Sequence, residues 1–158
     1  MTTQTGTCNQ NCNQSTDRKT ILIVQANFYE HISQMLLDGA VAELKKQNCQ
    51  YEIIDVLGAF EIPATIALAA KTNNYCGYIA LGCVIRGETT HYDYVCLESA
   101  RGLNDLAYNK GLAIGYGIIT CENEEQAIQR AHINKKDKGG FAAQACVRMI
   151  EIKKLFEQ

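Results

Sequence analysis

The sequence predicts an α/β fold in which a four-stranded parallel sheet is covered by helices on both faces. Short apolar runs alternate four times with longer segments of helical spacing, which is typical of repeated strand–helix units. The first run, TILIV at 20–24, has the β-branched composition of a strand covered on both faces. With 158 residues, 47% apolar and 20% charged, the chain is long enough for one domain with a substantial core.

Turn and capping residues separate the predicted elements. Pro63 falls in the first turn of a helix, where its missing N–H does no harm. Thr89 or Thr90 is predicted to cap the next helix, and Gly111 to end it. The predicted strands are 20–24, 51–57, 78–85 and 112–120. The predicted helices are 31–47, 62–71, the segment from that cap to Gly111, 124–131 and 140–156. Together they indicate a flavodoxin-like three-layer sandwich.

The start of the chain differs in composition from the rest. Residues 1–17 are mainly Thr, Asn, Gln, Cys and Ser, so we expect a flexible polar tail before an α/β domain at 18–158. This start lacks the basic segment and apolar block of a signal peptide. The eight cysteines are therefore expected to be reduced thiols in a cytoplasmic protein. Cys8 and Cys12 have the spacing of half a zinc site, but no second pair follows, so no metal is predicted.

The charge balance narrows the range of partners. Fifteen basic residues against seventeen acidic ones give a net charge of −2, which excludes a broad basic surface for nucleic acid. The longest nearly uncharged stretch, 75–85, is too short to span a membrane. We therefore expect neither nucleic acid nor a membrane as a partner.

The end of the third predicted strand carries the densest polar cluster. In a parallel sheet, ligands bind outside the carboxyl ends of the strands. Here Gly87 precedes a helix start whose free backbone N–H groups favour a phosphate or carboxylate. His91 lies beside them, and an imidazole exchanges protons readily near neutral pH. An ordinary capped helix start with a surface histidine explains the same residues. Neither GxGxxG nor GxxxxGK[ST] occurs, so dinucleotide and P-loop chemistry lack support.

Basic and aromatic residues supply two further candidate groups. Segment 130–138 includes Arg130 and Lys138, which suits a phosphate clamp or, equally, a solvated turn. Phe28, Phe60 and Tyr116 are expected at strand ends, where three aromatic rings around one cleft would suit a flat heterocycle. Taken singly, each ring is explained as a packing residue.

At these residues the chain closely resembles the lumazine synthase family of riboflavin biosynthesis, from about residue 20 to 156. The resemblance rests on long motifs in the same order: GAFEIP at 58–63, GCVIRGETTHYDYV at 82–95, Glu122-Asn123 with EQA at 125–127, and Arg130 with Lys138-Gly139. It implies condensation of 5-amino-6-(D-ribitylamino)uracil with 3,4-dihydroxy-2-butanone 4-phosphate to 6,7-dimethyl-8-ribityllumazine. Phosphate and water are released, with no metal or organic cofactor. It also implies a homopentamer, or a multiple of pentamers, with active sites between adjacent subunits.

The resemblance assigns roles residue by residue. His91 matches the proton-transfer residue, and Tyr116 matches an aromatic residue that reaches a neighbouring subunit's site. The positions that match pyrimidine, ribityl or nearby contacts are Phe28, Ala59, Phe60, Glu61, Lys138 and, through backbone groups, Val84 and Ile85. The positions that match phosphate contacts are Glu88, Thr89 and Arg130.

Three departures from the family pattern qualify this assignment. Glu88 often corresponds to alanine, and a carboxylate beside a phosphate is unfavourable unless its side chain turns outward. Asn27 stands where many members have arginine. Segment 131–137 lacks the glycine-rich turn common in members that form sixty-subunit capsids, which favours a pentamer.

Three other functions stay open on the sequence. A flavodoxin-like binding or signalling domain would need an acidic phosphoacceptor or a flavin loop, but Gln25-Ala26-Asn27 follows the first strand. A structural shell protein without activity is disfavoured because His91, Arg130 and Lys138 are all present. A nucleophilic-cysteine enzyme built on Cys83 is disfavoured because that thiol lies within an apolar strand.

Overall fold

A computed structural model describes residues 20–157. The strands are β1 (Thr20–Ala26), β2 (Tyr51–Val56), β3 (Tyr75–Ile85) and β4 (Ile114–Cys121). The helices are α1 (Glu30–Lys46), α2 (Ile62–Ala70), α3 (His91–Lys110), α4 (Glu124–Ala131) and α5 (Lys138–Phe156), and a 3₁₀ turn at Ala59–Glu61 precedes α2. The predicted tail at 1–17, with Cys8 and Cys12, lies outside the described residues.

The four strands form one parallel sheet in the order β2-β1-β3-β4. The chain leaves β1 through α1 toward one edge, forms β2, and then crosses back over β1 to form β3. The strand order therefore reverses between β1 and β3, and a crevice opens at their carboxyl ends. The predicted flavodoxin-like sandwich is confirmed.

Helices cover both faces of the sheet because alternate strand residues point to opposite sides. In β1, Ile21 and Ile23 pack toward α1, α4 and α5, whereas Leu22 and Val24 pack toward α2 and α3. All four side chains are almost fully buried. This two-sided burial explains why the strand is apolar without polar alternation. Within residues 20–157, no helix is both long and apolar enough to cross a membrane.

The predicted elements are all present, with differences at their ends. Gly111 is left-handed, with φ of 61°, and ends α3 as predicted. The predicted threonine cap is wrong in detail: Thr90 occupies the cap position without a side-chain bond, and the Thr89 hydroxyl accepts the N–H of His91 at 3.4 Å. Helix α5 begins two residues earlier than predicted, because the Asp137 carboxylate accepts the N–H of Gly140 at 3.0 Å.

Helix α5 packs against its neighbours at backbone distance because glycines line the contact. A Cβ atom at Gly115 would collide with the carbonyl oxygen of Ala142, and one at Gly139 with that of Leu36. These two glycines therefore set the separation of α5 from β4 and from α1. The positions of α5 and of its first residue, Lys138, depend on this close approach.

We expect Gly115→Ala to lower the free energy of unfolding by about 1–3 kcal/mol, because the new methyl group must displace backbone. Gly87→Ala is the matched control: a Cβ there meets open space, so stability should change by less than about 0.5 kcal/mol. Urea denaturation at one fixed protein concentration measures both, since subunit association would add to stability. Equal stability of the two variants would show that α5 is packed less closely than described.

Candidate active site

A cavity of about 470 Å³ opens at the carboxyl ends of β1 and β3. Its walls come from the turn after β1, the 3₁₀ turn before α2, the last residues of β3 and the first turn of α3. The volume is within the range of small-molecule sites. The cavity therefore occupies the crevice that the strand order creates.

Two exposed aromatic rings form one part of this cavity. Phe28 follows β1 and is 71% exposed, and Phe60 in the 3₁₀ turn is 56% exposed. Beside Phe60, Ala59 is buried and Glu61 is exposed, and both line the cavity. Apolar rings left open to solvent at a cavity mouth can stack on a flat ligand without displacing other side chains. The sequence prediction for these four residues is consistent with their placement.

The end of β3 offers backbone groups to the cavity. The pairing of β3 with β1 ends at Leu81, whereas its pairing with β4 continues to Ile85. The last residues of β3 thus extend beyond β1, and Val84 and Ile85 line the cavity there. Backbone N–H and C=O groups are obligatory hydrogen-bonding groups, so this edge is suited to a ligand with donors and acceptors along one side.

The turn before α3 closes the other side. Gly87, Thr89 and His91 line the cavity, and His91 is the first residue of α3. The N–H of His91 donates to the Thr89 hydroxyl at 3.4 Å and that of Asp93 to the carbonyl oxygen of Thr90 at 3.0 Å, so the start of α3 contributes chiefly its positive dipole end. Glu88 is exposed and lies outside the lining. A side chain turned outward there leaves the turn free of the carboxylate that would repel an anion.

Besides Glu88, three predicted site residues lie outside the lining of their own chain's cavity. Tyr116 pairs with Ala80 near the amino end of β4 and faces a second cavity of about 390 Å³ beside α3. The prediction of three aromatic rings around one cleft within a single chain is therefore wrong: Tyr116 is at the opposite end of its strand. Arg130 donates to the carbonyl oxygen of Gln126 at 3.0 Å in the last turn of α4. The Nζ atom of Lys138 lies 5.2 Å from the centroid of the Phe141 ring.

The sequence reasoning missed several residues around the site. Tyr29, Tyr92 and Val95 also line the cavity. Tyr92 and Val95 have the spacing of the buried face of a helix. This spacing alone does not distinguish residues that line a cavity from residues of the hydrophobic core. Arg86 was part of the polar cluster, yet its partners Asp93 and Glu122 could not be read from spacing, because one of them follows β4.

The thiol of Cys83 also borders the cavity but is unsuited to nucleophilic chemistry. Burial, with a smaller contribution from the neighbouring Cys121, raises its pKa to about 12. The neutral thiol is a poor nucleophile near neutral pH. The cysteine-enzyme alternative therefore has no support at this site. Among residues 20–157, no group of three or more His, Cys, Asp or Glu side chains is arranged to hold a metal ion.

The fold and the cavity define an α/β protein with a small-molecule site at the reversal of strand order. Residues 18–154 match the family described as 6,7-dimethyl-8-ribityllumazine synthase. Proteins of that name include one from Bartonella tribocorum, 56% identical over 86% of this chain and 91% of that protein. Those of Bartonella henselae and Sphingopyxis alaskensis are 55% and 52% identical, again over 86% of this chain and over 89% and 96% of their own lengths. The chain belongs to the 6,7-dimethyl-8-ribityllumazine synthase family, and it is a transferase of riboflavin biosynthesis.

We expect Cys83 to resist alkylation by iodoacetamide near neutral pH, because its raised pKa keeps the thiol protonated and burial restricts access. Mass spectrometry of the labelled native protein measures this, with urea-unfolded protein as the control in which the same thiol reacts. Labelling of Cys83 at equal rates in native and unfolded protein would contradict the described burial.

Proposed function

We propose that this enzyme condenses 5-amino-6-(D-ribitylamino)uracil with 3,4-dihydroxy-2-butanone 4-phosphate to 6,7-dimethyl-8-ribityllumazine. The observation that carries the proposal is the meeting of exposed aromatic rings, an open strand edge and an imidazole at a helix start in one cavity. Family membership supports the choice of these two substrates. The reaction as written needs no metal or organic cofactor, and we place it in the cytoplasm, where buried thiols such as Cys83 stay reduced.

The pyrimidine is proposed to bind between Phe28 and the end of β3. Phe28 stacks on the ring, while the backbone at Val84 and Ile85 pairs with the polar edge of the uracil. The ribityl chain extends toward Phe60 and Glu61, which stand beside the cavity in the 3₁₀ turn. Each group is already in place in the single chain, so binding needs little rearrangement.

The phosphate is proposed to bind at the turn before α3. Backbone N–H groups from Gly87 to Thr89 and the Thr89 hydroxyl donate to it, and the start of α3 favours its negative charge. Glu88 contributes its N–H only, because its side chain is exposed outside the cavity. This places the ketone next to His91.

The chemistry then consists of proton transfers. The primary amine of the pyrimidine attacks the ketone and water leaves, phosphate leaves by elimination, and the ribityl-bearing amine closes the ring with loss of a second water. His91 accepts and returns protons in these steps, because it lines the cavity beside the phosphate turn. Holding two reactive substrates in one pose supplies much of the acceleration.

A second copy of the chain is proposed to complete the site. Arg130, Lys138 and Tyr116 lie outside the cavity of their own chain, although the family motifs assign them to substrate. The outer face of α3 carries Tyr94 and Leu97, each 63% exposed, near the second cavity. An apolar face of this kind suits a subunit contact. We propose a homopentamer in which adjacent subunits share each active site.

Formation of the lumazine from the two substrates tests the function directly. Purified protein should produce the fluorescent product and release phosphate only when both substrates are present. Binding of the pyrimidine without turnover would instead favour a binding domain or an inactive shell protein.

We expect His91→Ala to lower kcat by about 10- to 100-fold without abolishing turnover, because the substrates remain positioned while a proton-transfer group is lost. The KM for the pyrimidine should stay close to that of the unmodified protein. Steady-state fluorescence measures both constants. Unchanged turnover in this variant would remove His91 from the mechanism.

We expect Arg130→Ala to raise the KM for the phosphorylated ketone by about tenfold or more, because a charge-assisted contact to phosphate is lost. The KM for the pyrimidine, measured in the same assay, is the internal control. A selective rise in the pyrimidine KM would contradict the clamp role.

Mixed assemblies test the shared site. When His91→Ala and Arg130→Ala chains are unfolded and refolded together in equal amounts, about a quarter of the interfaces combine an intact His91 with an intact Arg130 from the neighbour. At a ketone concentration below the KM of the Arg130→Ala variant, activity should then rise above that of either variant refolded alone. Activity equal to the mean of the two variants would show that both residues act within one chain.

A further inference from the structure

Arg86 stands between the last residue of β3 and Gly87, and its side chain makes three contacts. Its Nε atom donates to Oε2 of Glu122 at 2.9 Å, and its Nη1 atom donates to Oδ1 of Asp93 at 3.2 Å. The guanidinium carbon also lies 4.2 Å from the centroid of the Tyr92 ring. One planar group thus joins the corner after β4 to the first turn of α3.

The corner that carries Glu122 is fixed by its own hydrogen bonds. The N–H of Glu122 donates to Oε1 of Gln126 at 2.9 Å, and the N–H of Gln126 donates to Oδ1 of Asn123 at 2.9 Å. This reciprocal arrangement closely resembles a capping box and secures the start of α4. The backbone N–H of Arg86 donates to the carbonyl oxygen of Cys121 at 2.9 Å. The backbone that carries the Glu122 side chain is therefore held in place beside the guanidinium.

The turn that Arg86 spans has few restraints of its own. A Cβ at Gly87 would meet nothing within 4 Å, and Thr90 makes no side-chain cap bond to α3. Within the turn, the N–H of His91 donates to the Thr89 hydroxyl at 3.4 Å and that of Asp93 to the carbonyl oxygen of Thr90 at 3.0 Å. The contacts of Arg86 with Tyr92 and Asp93 then tie the far end of the turn to Glu122. The residues next to the imidazole are thus joined to a side chain that does not line the cavity.

The positive charge of Arg86 is paired with carboxylates of the same chain. Hydrogen bonds to Glu122 and Asp93 raise the pKa of the guanidinium, so it stays charged and paired. The guanidinium balances the charge of one of these two carboxylates. The N–H groups of the guanidinium are therefore used in bonds to Glu122 and Asp93. In the proposed site, the phosphate is bound by the backbone of the turn and by other cations.

We infer that Arg86 is a positioning residue: by joining Glu122 to the first turn of α3, it sets the location of His91 and of the anion-binding turn. This inference rests on the proposed function, because it names a residue outside the cavity on which the arrangement of that active site depends. Arginine is required at this position, since lysine carries the charge but has neither the planar fork nor the face that stacks on Tyr92.

The test compares Arg86→Gln and Arg86→Lys with Arg148→Gln. Arg148 is an exposed arginine on α5 that pairs with Glu151 at 2.9 Å and lines neither cavity, so its loss is a matched control. Arg86→Gln should lower kcat by about 10- to 100-fold while the pyrimidine KM changes by less than about twofold. Arg86→Lys should recover only part of that loss, and Arg148→Gln should match the unmodified protein.

A second readout separates positioning from general destabilisation. In protein labelled with ¹⁵N-histidine, the ring signals of His91, assigned by their loss in His91→Gln, should be single and sharp. They should broaden or split in Arg86→Gln, while the signals of His31 and His132 keep their positions. If Arg86→Gln fails to fold, Asp93→Ala removes one bond of the fork and should alter the same ring signals to a smaller extent.

Two results would overturn the inference. One is an Arg86→Gln variant with unchanged kcat and unchanged His91 signals. The other is a selective rise in the KM for the phosphorylated ketone with unchanged His91 signals, which would make Arg86 a phosphate ligand. If the unmodified protein forms no lumazine, the proposed function fails, and the ring signals still decide whether Arg86 positions His91.

Discussion

The reversal of strand order between β1 and β3 governs where the site of this protein lies. Because β2 and β4 are built on opposite sides of this pair, the connecting helices diverge and leave a crevice at the carboxyl ends. Every lining segment follows or ends a strand at this edge, or begins a helix beside it. The extension of β3 beyond its pairing with β1 adds open backbone to the same crevice. Aromatic rings, strand edge and imidazole meet there as a consequence of topology.

One chain supplies only part of the proposed chemistry. Phe28, the end of β3 and His91 share a cavity, whereas Arg130 and Lys138 lie on α4 and α5 outside it. Helix α5 is held at backbone distance from β4 and α1, so the backbone position of Lys138 is fixed by the packing of the core. In the proposed assembly each site is shared between two copies, and the exposed apolar face of α3 is available for that contact.

Much of the fold could be predicted because its signals are local. β-Branched runs, helical spacing and Gly111 gave all nine strands and helices described in residues 20–157, with errors only at their ends. The start of β3 was placed three residues late, because Gly77 is a weak strand former and pairing with β1 extends the strand past it. The start of α5 depends on the left-handed Asp137, a conformation that sequence patterns do not reveal.

The candidate site was less accessible to sequence reasoning. Residues next to strand ends, such as Phe28 and His91, were found because topology alone brings strand ends together. Tyr116 was misplaced because it lies at the other end of its strand, and the role of Arg86 was missed because Glu122 joins it only through the pairing of β3 with β4. Contacts between elements distant in sequence are tertiary, and no local periodicity encodes them.

A crystal structure of the protein with the ribitylaminouracil substrate and inorganic phosphate tests the central claim most directly. We expect the pyrimidine ring to stack on Phe28 with its polar edge on Val84 and Ile85. We also expect phosphate at the turn before α3, within reach of His91 and of Arg130 from a neighbouring copy. A pyrimidine bound in the second cavity beside Tyr116, with the crevice between β1 and β3 filled by solvent, would contradict it.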